Sequence, residues 1–128
     1  MGFRYLVLTK WALRVPLGEQ HSKPLPDFDI GPNFIISLKE LQGVSEEKVA
    51  DVVEILIGVA SDLDSRDVHR LREGAGALES PVKRDDGAVC WRASLQVGTP
   101  SARRIHYWAL PKGRIELSRV TLHDDFNP

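Results

Sequence analysis

Arginine and histidine recur at alternate positions in the last third of the chain, and its candidate chemistry lies there. The run Val89-Cys90-Trp91-Arg92-Ala93-Ser94-Leu95-Gln96-Val97 places Val89, Trp91, Ala93, Leu95 and Val97 on one side and Cys90, Arg92, Ser94 and Gln96 on the other. Side chains alternate along a strand, so the pattern predicts a sheet with one buried and one wet face. Two further runs, 104–110 and 114–123, contribute Arg104, His106, Arg119 and His123. Guanidinium groups match the oxygens of phosphates and carboxylates, and an imidazole titrates near neutral pH. A sheet face of this composition suits a polyanion.

The charge distribution points the same way. The chain has 128 residues and a net charge of −1, which alone argues against nucleic acid. Residues 1–65 hold six Lys/Arg and ten Asp/Glu, whereas residues 66–128 hold eleven and eight. Between Pro81 and His123 there are eight basic and three acidic residues. Such asymmetry marks either a basic working surface or an ordinary mixed one. The length fits one domain with a core. No apolar run reaches the ~20 residues of a membrane span. Lys10 and Arg14 interrupt the apolar patch near the start, which reads against a signal peptide. The single Cys90 has no disulfide partner within the chain and fits a packing role in a reducing cytoplasm. His21, His69, His106 and His123 lie far apart without metal-ligand spacing, so neither a metal nor another cofactor is expected.

The elements that would position these groups read as follows. Residues 3–9 alternate as a strand would, and Thr9 to Arg14 begins a helix that Pro16 stops. Residues 17–32, with Gly18, Pro24, Pro26, Gly31 and Pro32, form a loop or extended connector. Residues 1–32 are thus a strand with an arm or insertion, and 33–128 the main domain. Phe34-Ile35-Ile36-Ser37 is a strand or the lead-in to a helix over Leu38 to Leu41. Ser45 caps a helix over 46–62, whose apolar stripe is Val49, Val52, Val53, Leu56, Ile57, Ala60 and Leu63. Lys48, Asp51 and Glu54 would face water. Turns at Gly98-Thr99-Pro100-Ser101 and Pro111-Lys112-Gly113 separate three strands over 88–97, 104–110 and 114–123. Ile115 and Leu117 fall out of parity with Val120 and Leu122, which a bulge near Ser118 and Arg119 would reconcile.

A helix, the connector His69-Arg70-Leu71-Arg72-Glu73-Gly74-Ala75-Gly76, then Trp91-Arg92, then Arg104-Ile105-His106-Tyr107-Trp108, and a last strand ending Val120-Thr121-Leu122-His123 form a recognisable order. Over about residues 34–126 it resembles the RelE/ParE superfamily of toxins from bacterial toxin–antitoxin systems. The resemblance implies an α+β fold, with one or two N-terminal helices packed on an antiparallel sheet of three to four strands. It implies a cytoplasmic toxin bound by a cognate antitoxin. Toxins resembling RelE are endoribonucleases that cut messenger RNA, usually on the ribosome. Those resembling ParE inhibit DNA gyrase without cutting RNA, and a non-catalytic binding protein could use the same scaffold.

Carried over to this chain, RNA cleavage needs a proton-transfer group and cations at the scissile phosphate. The resemblance assigns these to His123, Arg92 and Arg119, with Asp124 orienting His123. Arg104, Lys112, Arg103, Lys83 and Arg84 are then RNA-backbone contacts. A solvated strand-end residue describes His123 equally well. His106 is the weaker candidate, since it would equally pair with Trp91. Tyr107 shares the parity of Ile105 and Ala109 and belongs to the core.

Overall fold

The computed structural model describes residues 2–58, 66–72, 80–96, 102–122 and 125–128. Among the described residues, three helices and a five-stranded mixed sheet make up an α+β fold. Helix α1 spans Phe3–Arg14. The sequence reading of 3–9 as a strand is therefore corrected. Phe3, Tyr5 and Val7 fit a period of two, but Tyr5 is 52% exposed while Phe3 and Val7 are buried. Residues four apart share a helix face, and that spacing prevails. A 3-10 turn at Leu17–Glu19 follows. The connector after it is tied down locally. Trp11 Nε1 donates to the Lys23 carbonyl at 2.9 Å, and Arg4 Nη1 to the Phe28 carbonyl at 2.7 Å.

Strand β1 is two residues, Asp29–Ile30, and leads into α2, Phe34–Glu40. The run Phe34-Ile35-Ile36-Ser37 is thus the start of a helix. Helix α3 spans Glu46–Ile57. Ser45 caps it as expected, its side chain accepting from the Lys48 N–H at 3.1 Å. The helix stops at Ile57, where Gly58 is extended at the C-cap, so it is shorter than the expected 46–62; residues 59–62 lie outside the described residues. Glu54, read as solvent-facing, is 2% exposed. Its carboxylate pairs with Arg14, which also reaches Asp51 at 2.7 Å. Helix α1 therefore covers a flank of α3 that the apolar stripe does not reveal, and burial raises the Glu54 pKa against the pull of Arg14.

The remaining strands are β2 (His69–Arg70), β3 (Val89–Ser94), β4 (Arg104–Ala109) and β5 (Ile115–Thr121). Their order is β1-β5-β4-β3-β2, with β1 parallel to β5 and the other pairs antiparallel. The expected sheet of three to four antiparallel strands gains a short strand at each edge. His106 pairs with Arg119 and Tyr107 with Leu117, so Ser118 is the extra residue of a bulge. The bulge lies where the broken parity of the last strand indicated it.

One core unites all three helices with the sheet. Phe3, Val7, Phe34, Leu38, Val49, Val52, Val53 and Leu56 pack with Ala93, Ile105, Tyr107, Leu117 and Val120. Phe3 and Phe34 meet edge to face at 5.1 Å. Ser37 links α2 to β5, accepting from the Val120 N–H at 2.9 Å. A second cluster, Leu71, Ala88, Cys90 and Trp108, lies on the opposite face, with Val82, Leu110 and Phe126 against it. That face is the one expected to be wet. Cys90 and His106 are fully buried there, and Ser94 and Thr121 nearly so. Leu71, Val82, Ala88 and Phe126 cover it, so alternation located the face but not its exposure.

Candidate phosphate-binding face of the sheet

The register assembles a row of basic side chains. His69 lies opposite Arg92, Arg92 opposite His106, and His106 opposite Arg119. Directly opposed residues project from the same face, and adjacent strands lie about 4.8 Å apart. Arg92 and Arg119 therefore flank His106, with Cα atoms about 10 Å apart. The next row along holds Ser94, Arg104 and Thr121. Two of the three residues expected to carry catalysis, Arg92 and Arg119, are thus brought to one face. The third, His123, and its partner Asp124 lie outside the described residues.

Arg92 is the unusual group in this row. It is half-buried, and among the described residues it makes no hydrogen bond or ion pair. Desolvation and the neighbouring Arg104 lower its pKa, and Asp67 only partly opposes them. Arg104 donates through Nη1 to Ser94 Oγ at 2.9 Å, and its buried Nε has no partner. Two adjacent guanidinium groups thus share one sheet face with donors unmet. Buried polar groups without partners are costly, and their clustering calls for an explanation.

Arg119 and His106 are differently placed. Arg119 Nη2 donates to Asp125 Oδ2 at 3.0 Å, and Nη1 to the Asn127 carbonyl at 3.2 Å. His106 Nδ1 lies 2.6 Å from the same carbonyl. A carbonyl only accepts, so Nδ1 carries the proton, leaving the Nε2 lone pair towards Thr121 Oγ1 at 3.4 Å. Desolvation lowers the His106 pKa, helped by Arg119 and Arg92 and opposed by Asn127 and Asp125. The imidazole is neutral at neutral pH and has the form of a base, although it is sealed from solvent. His106 faces Arg92, while Trp91 pairs with Tyr107. The sequence reading ranked His106 below His123 and did not consider His69 as a site residue. The predicted turn over Gly98-Thr99-Pro100-Ser101 was the available signal, and in the structure β3 and β4 pair with Arg92 opposite His106.

The remaining candidates divide. Arg103 precedes β4, and its N–H donates to Gln96 Oε1 at 3.2 Å. With Arg119 it lines a cleft of about 450 Å³ between α2 and the end of β5. Lys112 sits in the hairpin turn at the other end of β4 and does not join the row. Lys83 is exposed on the connector, bridged to Val89. Arg84 is committed to the fold: it binds Asp86 and Glu116, each at 2.7 Å, and its guanidinium lies 5.0 Å from the Trp108 ring centroid. Those two carboxylates raise its pKa. Arg84 is thus engaged within the fold, an arrangement that parity could not anticipate.

Cys90 is also excluded from chemistry, because burial pushes its thiol up to about 12. Among the described residues, no three His, Cys, Asp or Glu come together to hold a metal ion, and no helix is long and apolar enough to cross a membrane. Compared with protein-family models, with curated proteins and with solved structures, the chain matches none of them.

Proposed function

We propose that the sheet face around Arg92, Arg104, His106 and Arg119 binds the phosphate backbone of RNA. We further propose that the chain is a toxin-type endoribonuclease acting on messenger RNA and restrained by a protein antitoxin. One observation carries the reading. Arg92 and Arg104 stand side by side, half-buried, and Arg92 lacks a carboxylate partner among the described residues. A phosphodiester would meet their donors and cancel their repulsion, and two guanidinium groups suit its oxygens geometrically. The helices lie on the other face, and on this one Arg92 and Arg104 stay half-buried beside the covered apolar cluster. The resemblance of residues 34–126 to the RelE/ParE superfamily supplies the reaction class. In that reaction Arg92 and Arg119 stabilise the charge that develops on the phosphorane, and a histidine moves the proton.

His123 and His106 are the two candidates for proton transfer. A general acid or base contributes about 10²–10⁴ in rate. Primer extension on transcripts from cells expressing the chain tests the reading. New 5′ ends are expected with the wild type, and their loss with Arg92→Ala. His123→Ala and His106→Ala compared side by side identify the proton-transfer residue. Intact transcripts beside arrested DNA replication would replace the reading with gyrase inhibition. Intact transcripts with normal growth would reduce the chain to a binding module.

A further inference from the structure

Half of the basic row is already occupied, and by the chain itself. Asp125 offers a carboxylate to Arg119 at 3.0 Å. The Asn127 carbonyl accepts from both Arg119 and His106, at 3.2 and 2.6 Å. The Asn127 N–H donates to Asp125 Oδ1 at 2.9 Å, a tight turn that aims carboxylate and carbonyl at the same side. Between them Phe126 packs on Leu71, Ala88, Cys90 and Trp108. Carboxylate and carbonyl oxygens thus sit where the oxygens of a phosphate would meet Arg119 and His106. Arg92 and Arg104, two strands and one strand away, receive nothing from this segment.

We propose that Asp125-Phe126-Asn127 is an intramolecular mask, a mimic of the RNA backbone that closes the Arg119–His106 half of the site until RNA entering at Arg92 displaces it. The inference rests on the RNA reading above. The asymmetry of the row is its support. A segment serving only to fill the face would need Phe126 against the apolar cluster. It would not need its acceptors placed on the two basic groups of the row. His106 is fully buried with its Nδ1 on the Asn127 carbonyl, so access to the imidazole reports on the mask.

The test compares the wild type with Asp125→Asn/Phe126→Ala, and with Asp125→Asn alone, which keeps the apolar anchor and guards against misfolding. Circular dichroism checks the fold. Two readouts are taken: diethyl pyrocarbonate modification of His106, located by mass, and affinity for a fluorescent single-stranded RNA. The expected result is protection of His106 in the wild type and modification in the double variant. RNA binding should tighten about tenfold, as for a site otherwise closed nine-tenths of the time, with a smaller gain for Asp125→Asn. If His106 opens and affinity is unchanged or falls, the mask is refuted while the RNA reading stands. Continued protection of His106 in a folded double variant also refutes it. If no form binds RNA although His106 opens, the RNA reading fails and the mask falls with it.

Discussion

Replacing Arg92 by methionine should make the protein more stable. The side chain is half-buried, and among the described residues it has no hydrogen-bond or ion-pair partner. Its register places it diagonal to Arg104, since Arg92 pairs with His106 and Ser94 with Arg104. Diagonal Cβ atoms across a ladder are about 7–8 Å apart. Two like charges at that separation repel by about 0.6 kcal/mol in water and about 2 kcal/mol at an effective dielectric of 20. This site lies between those limits, so relief is on the order of 1 kcal/mol. Methionine keeps the apolar stem in place, and partial loss of packing is small beside that. For a domain of this size, about 1 kcal/mol raises Tm by about 3–5 °C. Thermal melts followed by circular dichroism at low salt read the change directly. The gain should shrink at high salt, which screens the repulsion already present in the wild type. A fall in Tm of similar size would refute the reasoning, because it would show that Arg92 has a partner that holds the fold. Stability gained where function is lost is the signature of a binding residue.

Other consequences follow from the core, the thiol and the surface acids. Phe34→Ala should cost about 3–5 kcal/mol in urea unfolding, because a fully buried ring against Phe3 leaves a cavity; a cost below 1 kcal/mol would mean that the α2–sheet packing is loose. Cys90 should resist iodoacetamide at pH 8 in the native protein and react once unfolded, given its burial and a pKa near 12; rapid native alkylation would contradict the second cluster. Stability should fall with acid. Asp86 is held down to about 2 by Arg84 and the Ala88 N–H. Asp27, bonded by the Phe28 N–H and Arg114, and Asp29, bonded by Arg114, are lowered too. Asp125 is lowered as well, where desolvation is outweighed by the Asn127 N–H and Arg119. Depressed carboxylates contribute above their ordinary 3.8 and lose that contribution as pH drops towards 2. Glu54 works in the opposite sense, its raised pKa favouring the folded state as pH falls. A urea midpoint that holds or rises between pH 4 and pH 3 would contradict the four aspartates.

The local signals in the sequence were strong where one element decided its own fate. Ser45 and the apolar stripe after it fixed the start of α3, and the parity break between Leu117 and Val120 marked the bulge at Ser118. Signals failed where a second element intervened. Glu54 looks solvent-facing along α3 alone, and only Arg14 from α1 explains its burial. Residues 3–9 satisfy two periods at once, so the sequence pattern could not choose between strand and helix. Parity put Arg92 on the face opposite the core, but whether Arg119 joins it depends on the bulge, and parity could not show that Asp125 and Asn127 engage Arg119 and His106. Nor could it show that Arg84 is taken by Asp86 and Glu116. Partners distant in sequence decide which arginines are available.

The salt dependence of RNA affinity, measured for the wild type and for Arg92→Met, tests the central claim most directly. Each phosphate neutralised on a single strand contributes about 0.7 to the slope of log affinity against log salt. The account predicts weaker binding by Arg92→Met and a slope shallower by about 0.7, in a protein that remains folded and melts higher. Equal affinity and an equal slope in the two proteins would contradict it.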